Sequence, residues 1–265
     1  MSSKKSRMTT IHSSRTRAQL RSRVTRRLAT LCAALSLAAC LSPLSAAGAA
    51  GTLAFASQSG HEIITIAMSA ARRAASCNSS TMTKISGQSY SKTTLSTMTT
   101  GQQTLLIGNA WTVDRVVGGV VYIKENAAAM VEQFGISDPK AVNRWISIPR
   151  GNANFSLFNA YIVFPSMLSE MTPGGTLKTT KPTVVNHQLV VGVKGSPNIH
   201  LGLATGVETL YVTVSAPHLP VELVASDVVQ AQKQTFVISY SHWGAPFRIV
   251  KPSPSLPISM TRLPS

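Results

Sequence analysis

Acidic residues are scarce in this sequence. Its 265 residues hold nine Asp and Glu against 25 Lys and Arg, for a formal net charge of +16. Total charge is also low, 13% against 44% hydrophobic residues, which excludes the highly charged, weakly apolar profile of a disordered chain. Cysteine is almost absent: Cys32, Cys40 and Cys77 cannot build a disulfide-dense scaffold. Catalytic and metal signatures are missing too. There is no Gly-x-Ser-x-Gly elbow and no Walker loop. His61-Glu62-Ile63-Ile64-Thr65 begins like a zinc-protease helix, but Thr65 stands where the second His is needed. His187, His200, His218 and His242 form no pair at ligand spacing, and nothing in the spacing of the nine acids marks a catalytic pair. No cofactor and no enzymatic activity are expected. No repeat of 20–50 residues is visible either.

The excess of base is concentrated at one end. Nine of the 25 bases lie in residues 1–27, which hold no acid, leaving 16 bases against nine acids on the rest. Those 16 are scattered, without a basic helix or interleaved aromatics, so nucleic acid is not an expected partner. After Arg26-Arg27 comes the apolar run Leu28–Leu37, of signal-peptide length and interrupted by Pro43 before it can span a bilayer. It closes on Leu37-Ala38-Ala39-Cys40, which resembles the bacterial lipobox. There the small residues admit the peptidase, the Cys thiol takes a diacylglyceryl group, and the chain is cut just before it. On this reading residues 1–39 are a signal peptide with a long basic lead, Cys40 is the lipidation site, and residues 40–60 are a flexible tether rich in Ser, Ala and Gly. Soluble secretion with later cleavage, and an uncleaved anchor, are the alternatives. Cys77 would be the one mature thiol and a buried structural residue.

Alternation organises the last quarter of the chain. Leu210, Val212 and Val214 share one face; so do Leu219, Val221, Leu223 and Ala225; so do Phe236, Ile238 and Tyr240. A period of two with one apolar face predicts half-buried antiparallel strands. Ala216-Pro217-His218 and the polar stretch 227–234 are expected to turn between them, and Trp243-Gly244-Ala245-Pro246 to end them. Upstream, Glu62–Ala75 reads as an amphipathic helix with Arg72-Arg73 near its C-terminus, where cations suit the dipole. Thr-rich segments follow at 81–86, 89–99 and 102–107, and Gly118-Gly119 marks a two-residue hairpin. Asn126 caps a helix that stops at Gly135, and Asp138-Pro139 opens another short one. In Phe155–Met171, apolar residues recur every three or four positions, with a bend expected at Pro165. Strands broken by a few helices imply an α+β domain over residues 61–258, with the helices on one face of an antiparallel sheet, and a short tail at 259–265.

These pieces resemble the LppX/LprG-type actinobacterial lipoproteins and, more distantly, LolA-like lipoprotein carriers. The resemblance rests on the exported Cys, on Leu210-Tyr211-Val212 with the following Leu219-Pro220-Val221, and on Ser241-His242-Trp243-Gly244-Ala245-Pro246. The segment Thr183–Gly192 looks like that family's hairpin, with His187 where Gly is usual. It implies a curved antiparallel half-barrel sheet wrapped on helices, with an acyl-chain cavity between them. The residues expected to line it are Ile63, Ile66, Phe155, Phe158, Tyr161, Phe164, Met167 and Leu168. The expected partners are lipid or lipoprotein acyl chains and, through Cys40, the extracytoplasmic side of the cell membrane; the expected state is a monomer. The alternative is an envelope interaction or sensor module whose core is filled, since an apolar stripe serves as core more often than as pocket.

Overall fold

A computed structural model describes residues 54–264, apart from 86–87, 160–161, 170, 198–204 and 230–231. The expected signal peptide, Cys40 and Tyr161 therefore lie outside the described residues. Within them, thirteen strands form one sheet, and its order explains the rest of the fold. Strand β1 (Ser76–Ile85) sits in the middle. From it the chain meanders outward through β2 (Gln88–Thr97), β3 (Gly101–Ile107), β4 (Ala110–Val117), β5 (Val120–Glu125) and β6 (Ile146–Pro149). It then crosses to the far edge, where β7 (Gly174–Thr179) and β8 (Thr183–Val185) pair in succession with the outer side of β9 (Gln188–Ser196). A second meander, β10 (Thr205–Thr213), β11 (Pro220–Val229) and β12 (Gln232–Ser241), works back inward until β12 pairs with β1. The last segment returns to lay β13 (Leu256–Pro257) parallel to β6. This is the expected α+β class: a curved, antiparallel sheet that stays open between β7 and β13.

The helices follow the sequence signals closely at the start. Helix α1 (Gly60–Ala74) opens on a full capping box, in which Ser59 Oγ accepts the Glu62 N–H and the Glu62 carboxylate accepts the Ser59 N–H at 2.9 Å. It buries Ile63, Ile64, Ala67, Met68 and Ala71 against β1, β9 and β11. Helix α2 (Ala127–Phe134) has the expected Asn126 cap and Gly135 stop, and lies over β4 and β5. The predicted helix Phe155–Met171 is two short ones, α3 (Phe155–Asn159) on β5 and α4 (Phe164–Ser169) on β2 and α1.

Several local expectations change for physical reasons. Asp138–Asn143 forms turns and not a continuing helix. The Asp138 carboxylate accepts the Lys140 N–H (3.0 Å) as a cap would, but the chain leaves at Asn143, whose N–H donates to the Glu125 carbonyl at 2.7 Å. The second carboxylate oxygen accepts the Arg262 N–H (2.9 Å). That second bond ties down the C-terminus, and Leu263 is buried, so the packed body runs past residue 258. At the other end Phe55 is buried and its ring stacks on His218 at 3.8 Å, so the body also begins before residue 60. The polar stretch 227–234 is mostly strand: Asp227 faces Gln234 and Val229 faces Gln232. Asn186 and His187 join β8 to β9 with positive φ at both positions (48° and 62°), the geometry of a type I′ turn, so His187 meets the need usually met by Gly.

Candidate functional site

Period-two alternation puts every second residue of each strand on the face the helices cover, and the register lines these residues up across the sheet. One row reads Val193, Leu210, Leu223, Ile238, Thr81, Lys92, Leu105, Thr112, Glu125. The next reads Tyr240, Ser79, Thr94, Gln103, Asp114, Ile123, Ile146. Along these two rows the inner face is apolar on β9–β12 except for Tyr240, mostly polar from β1 to β4 and at Glu125 on β5, and apolar again at Ile123 of β5 and Ile146 of β6.

The residues expected to line one cavity divide between the two apolar zones. Ile63, Phe164, Met167 and Leu168 pack together with Met68, Met171, Leu210 and Leu223, and Ile66 packs half-buried against them. Phe155 and Phe158 belong to the other cluster, with Met130, Ile146 and Ile148, and the Phe158 ring lies 5.6 Å from that of Phe134. Between the zones the chain crosses at Ile162, whose carbonyl accepts the Ser96 hydroxyl at 2.8 Å. Gly101 makes room for this crossing: a Cβ there would lie 2.2 Å from the Ile162 oxygen. Three concavities, of about 350, 240 and 310 Å³, lie elsewhere, and none is lined by an expected cavity residue. The described members of the expected lining are packed within these two clusters.

The polar zone holds a feature the sequence reading passed over. Asp114 and Glu125 are both buried on the inner face of neighbouring strands, offset by two residues. Gln103 Nε2 donates to Asp114 Oδ2, and the Thr112 hydroxyl donates to Glu125 Oε1, each at a long 3.4 Å. Gln133 of α2 donates to Thr112 Oγ1 at 3.1 Å. Asp114 Oδ1 and Glu125 Oε2 are out of contact with solvent and have no hydrogen-bond partner. Burial pushes the Asp114 carboxyl up to about 7 against the pull of Gln103. Burial, and then the negative charge of Asp114, push Glu125 up to about 8 against the pull of Thr112. The signal was present in the hairpin: with Val117 opposite Val120 about Gly118-Gly119, positions 112, 114, 123 and 125 share a face.

Cys77 is buried in the first apolar cluster, and burial raises its thiol to about 12, so it behaves as a small apolar side chain. Among the described residues, no group of three or more His, Cys, Asp or Glu is placed to hold a metal, and no helix is long and apolar enough to cross a membrane.

No protein-family model matches this sequence, and no curated protein does. Solved structures give distant likenesses. The Pseudomonas aeruginosa MucA/MucB complex aligns at 13% identity and a TM-score of 0.35, over 69% of this chain and 57% of that one. The chain therefore spans less than two thirds of that relative. A putative outer membrane lipoprotein-sorting protein domain from Vibrio parahaemolyticus aligns at 8% identity and a TM-score of 0.29, covering 69% of this chain and 92% of that one. A DUF1329 family protein from Desulfovibrio piger aligns at 9% identity and a TM-score of 0.29, over 71% and 93%. Similarity at this distance assigns no family, and the architecture stands on the strand order itself.

Proposed function

We propose that this chain is an exported, membrane-anchored lipoprotein that carries an acyl-chain ligand against the apolar inner face of β9–β12. The observation that carries the reading is how that face is covered. Among the described residues, its strands are roofed by one fifteen-residue helix and one six-residue helix, not by a second sheet or a bundle. Helix α4 contributes three buried side chains, Phe164, Met167 and Leu168. Exposing them costs roughly 1.5–3 kcal/mol each, whereas each methylene of a ligand taken from water gains about 0.8 kcal/mol. A sixteen-carbon chain therefore gains roughly 12 kcal/mol, enough to offset the displacement of α4. Met68, Met167 and Met171 lie in the same cluster, and their unbranched thioethers adapt to chains of irregular shape. In this reading Ile63, Ile66, Phe164, Met167 and Leu168 contact the ligand. Phe155 and Phe158 complete its lining on the side of the second cluster.

The packing of the lining residues on one another favours a second reading, an envelope interaction module with a permanently filled core. Native mass spectrometry of the full chain, extracted from membranes in mild detergent, separates the two. The carrier should retain stoichiometric lipid, released into an organic extract, and a Leu168→Asp variant should retain less. A spectrum of bare protein with a lipid-free extract would leave only the interaction module.

A further inference from the structure

The carrier reading uses the apolar zones and leaves the polar one without a role. Two carboxyl oxygens there, Asp114 Oδ1 and Glu125 Oε2, are buried without a donor. Natural proteins rarely leave such atoms unpaired, because the lost hydration is not replaced. The two residues sit diagonally on adjacent strands, where backbones about 7–8 Å apart leave side chains on the same face within reach of a common partner. Neither carboxyl lines the concavity of about 240 Å³, but Thr112 stands in its wall and bonds Glu125, so that one side chain separates the open space from the pair.

The charges around the pair decide the sign of the missing group. Arg115 and Lys124 alternate with the pair along the strands and so face the opposite side of the sheet. Arg115 is there engaged with Gln102 Oε1 at 2.7 Å and stacked 4.8 Å from the Trp145 ring. On the inner face lie Lys92 of β2, two strands from Asp114, and Glu132 of α2, in the wall of the concavity. No base is among the groups that set the ionisation of either carboxyl, whose polar neighbours are the neutral Gln103 and Thr112. An anion would be repelled, and a neutral hydroxyl would leave the mutual repulsion of the carboxylates in place. An ammonium offers three donors and a full positive charge, with bonds near 2.7–2.9 Å to carboxylate oxygens.

Resting on the carrier reading, we propose that Asp114 and Glu125 bind the ammonium head of an amphiphile whose hydrocarbon chain lies on the flanking apolar face. The ligand class is then an amine-bearing lipid, and the polar zone is its headgroup subsite. Binding should strengthen as the pair ionises, so preference for the amine grows from pH 5.5 to pH 8.

The test is calorimetric titration of the full chain with dodecylamine and with dodecanol, equal in chain length and different in head. At pH 8 the amine should bind at least tenfold more tightly, and the Asp114→Asn/Glu125→Gln double variant should bind the two alike. Each single variant should narrow the ratio, and circular dichroism should show the variants folded. Equal binding of amine and alcohol by the parent, or a preference kept by the double variant, overturns the headgroup subsite while leaving the carrier intact. If neither probe binds, the carrier reading falls and this inference falls with it.

Discussion

Folding moves Asp114 and Glu125 out of water and beside one another, and both changes favour the protonated form. Their folded values, about 7 and about 8, lie above the ordinary carboxylate range near 4, so between those limits the folded state holds more protons than the unfolded one. Linkage then fixes the direction: stability falls as pH rises from about 4 toward 8 and levels off above it. The Asp114→Asn/Glu125→Gln variant has no such protons to lose. Urea titrations should show it more stable than the parent at pH 8.5, by an amount on the order of a few kcal/mol, with a smaller difference at pH 5. A parent midpoint that is flat across that range would contradict the burial of the pair as ionisable groups. The pair was legible in principle, since a two-residue turn fixes which strand positions share a face. Their burial was not, because it depends on what later segments lay over β4 and β5.

At the scale of elements, the signals that survived were local ones. The amphipathic period of Glu62–Ala75, the Asn126 cap, the Gly118-Gly119 hairpin and the alternation within β10, within β11 and within β12 all act over a few residues, and each appears close to where it was expected. The long apolar stretch Phe155–Met171 misled because its period is helical while its path is set by a distant strand. Ile162 must cross β3 at Gly101, so the helix is interrupted between residues 159 and 164. This makes Gly101 a fold determinant whose role depends on contact and not on backbone conformation. A Gly101→Ala methyl would meet the Ile162 oxygen at 2.2 Å and its Cγ2 at 2.6 Å, lifting the crossing and the Ser96 hydrogen bond with it. Overpacking of this kind costs about 1–3 kcal/mol, which chemical denaturation would read as a lower midpoint at unchanged slope. An unaltered midpoint would mean that the α3–α4 connection does not rest on the sheet.

Across the whole molecule, the order of helices and strands could be read along the chain, but the placing of β1 could not. Its partner β12 is more than a hundred residues away, and no local pattern announces a pairing so remote. The chain's start is a question of the same scale, because it decides where the folded body works. Cys40 follows a basic lead and an apolar run, and the packed body begins by Phe55, so about 15 residues, reaching ~50 Å at most, would separate an acylated thiol from the sheet. One acyl chain holds a protein only marginally, whereas the two chains of a diacylglyceryl group hold it stably. The excess of base over acid in the remainder adds attraction to an anionic surface. Growth on radioactive palmitate should therefore label the full chain and place it in the membrane fraction. Cys40→Ala should lose the label and much of the membrane association, and Cys32→Ala should keep both. An unlabelled parent, or a Cys40→Ala chain labelled as strongly as the parent, would remove the anchor and leave a body that reaches its ligand by diffusion.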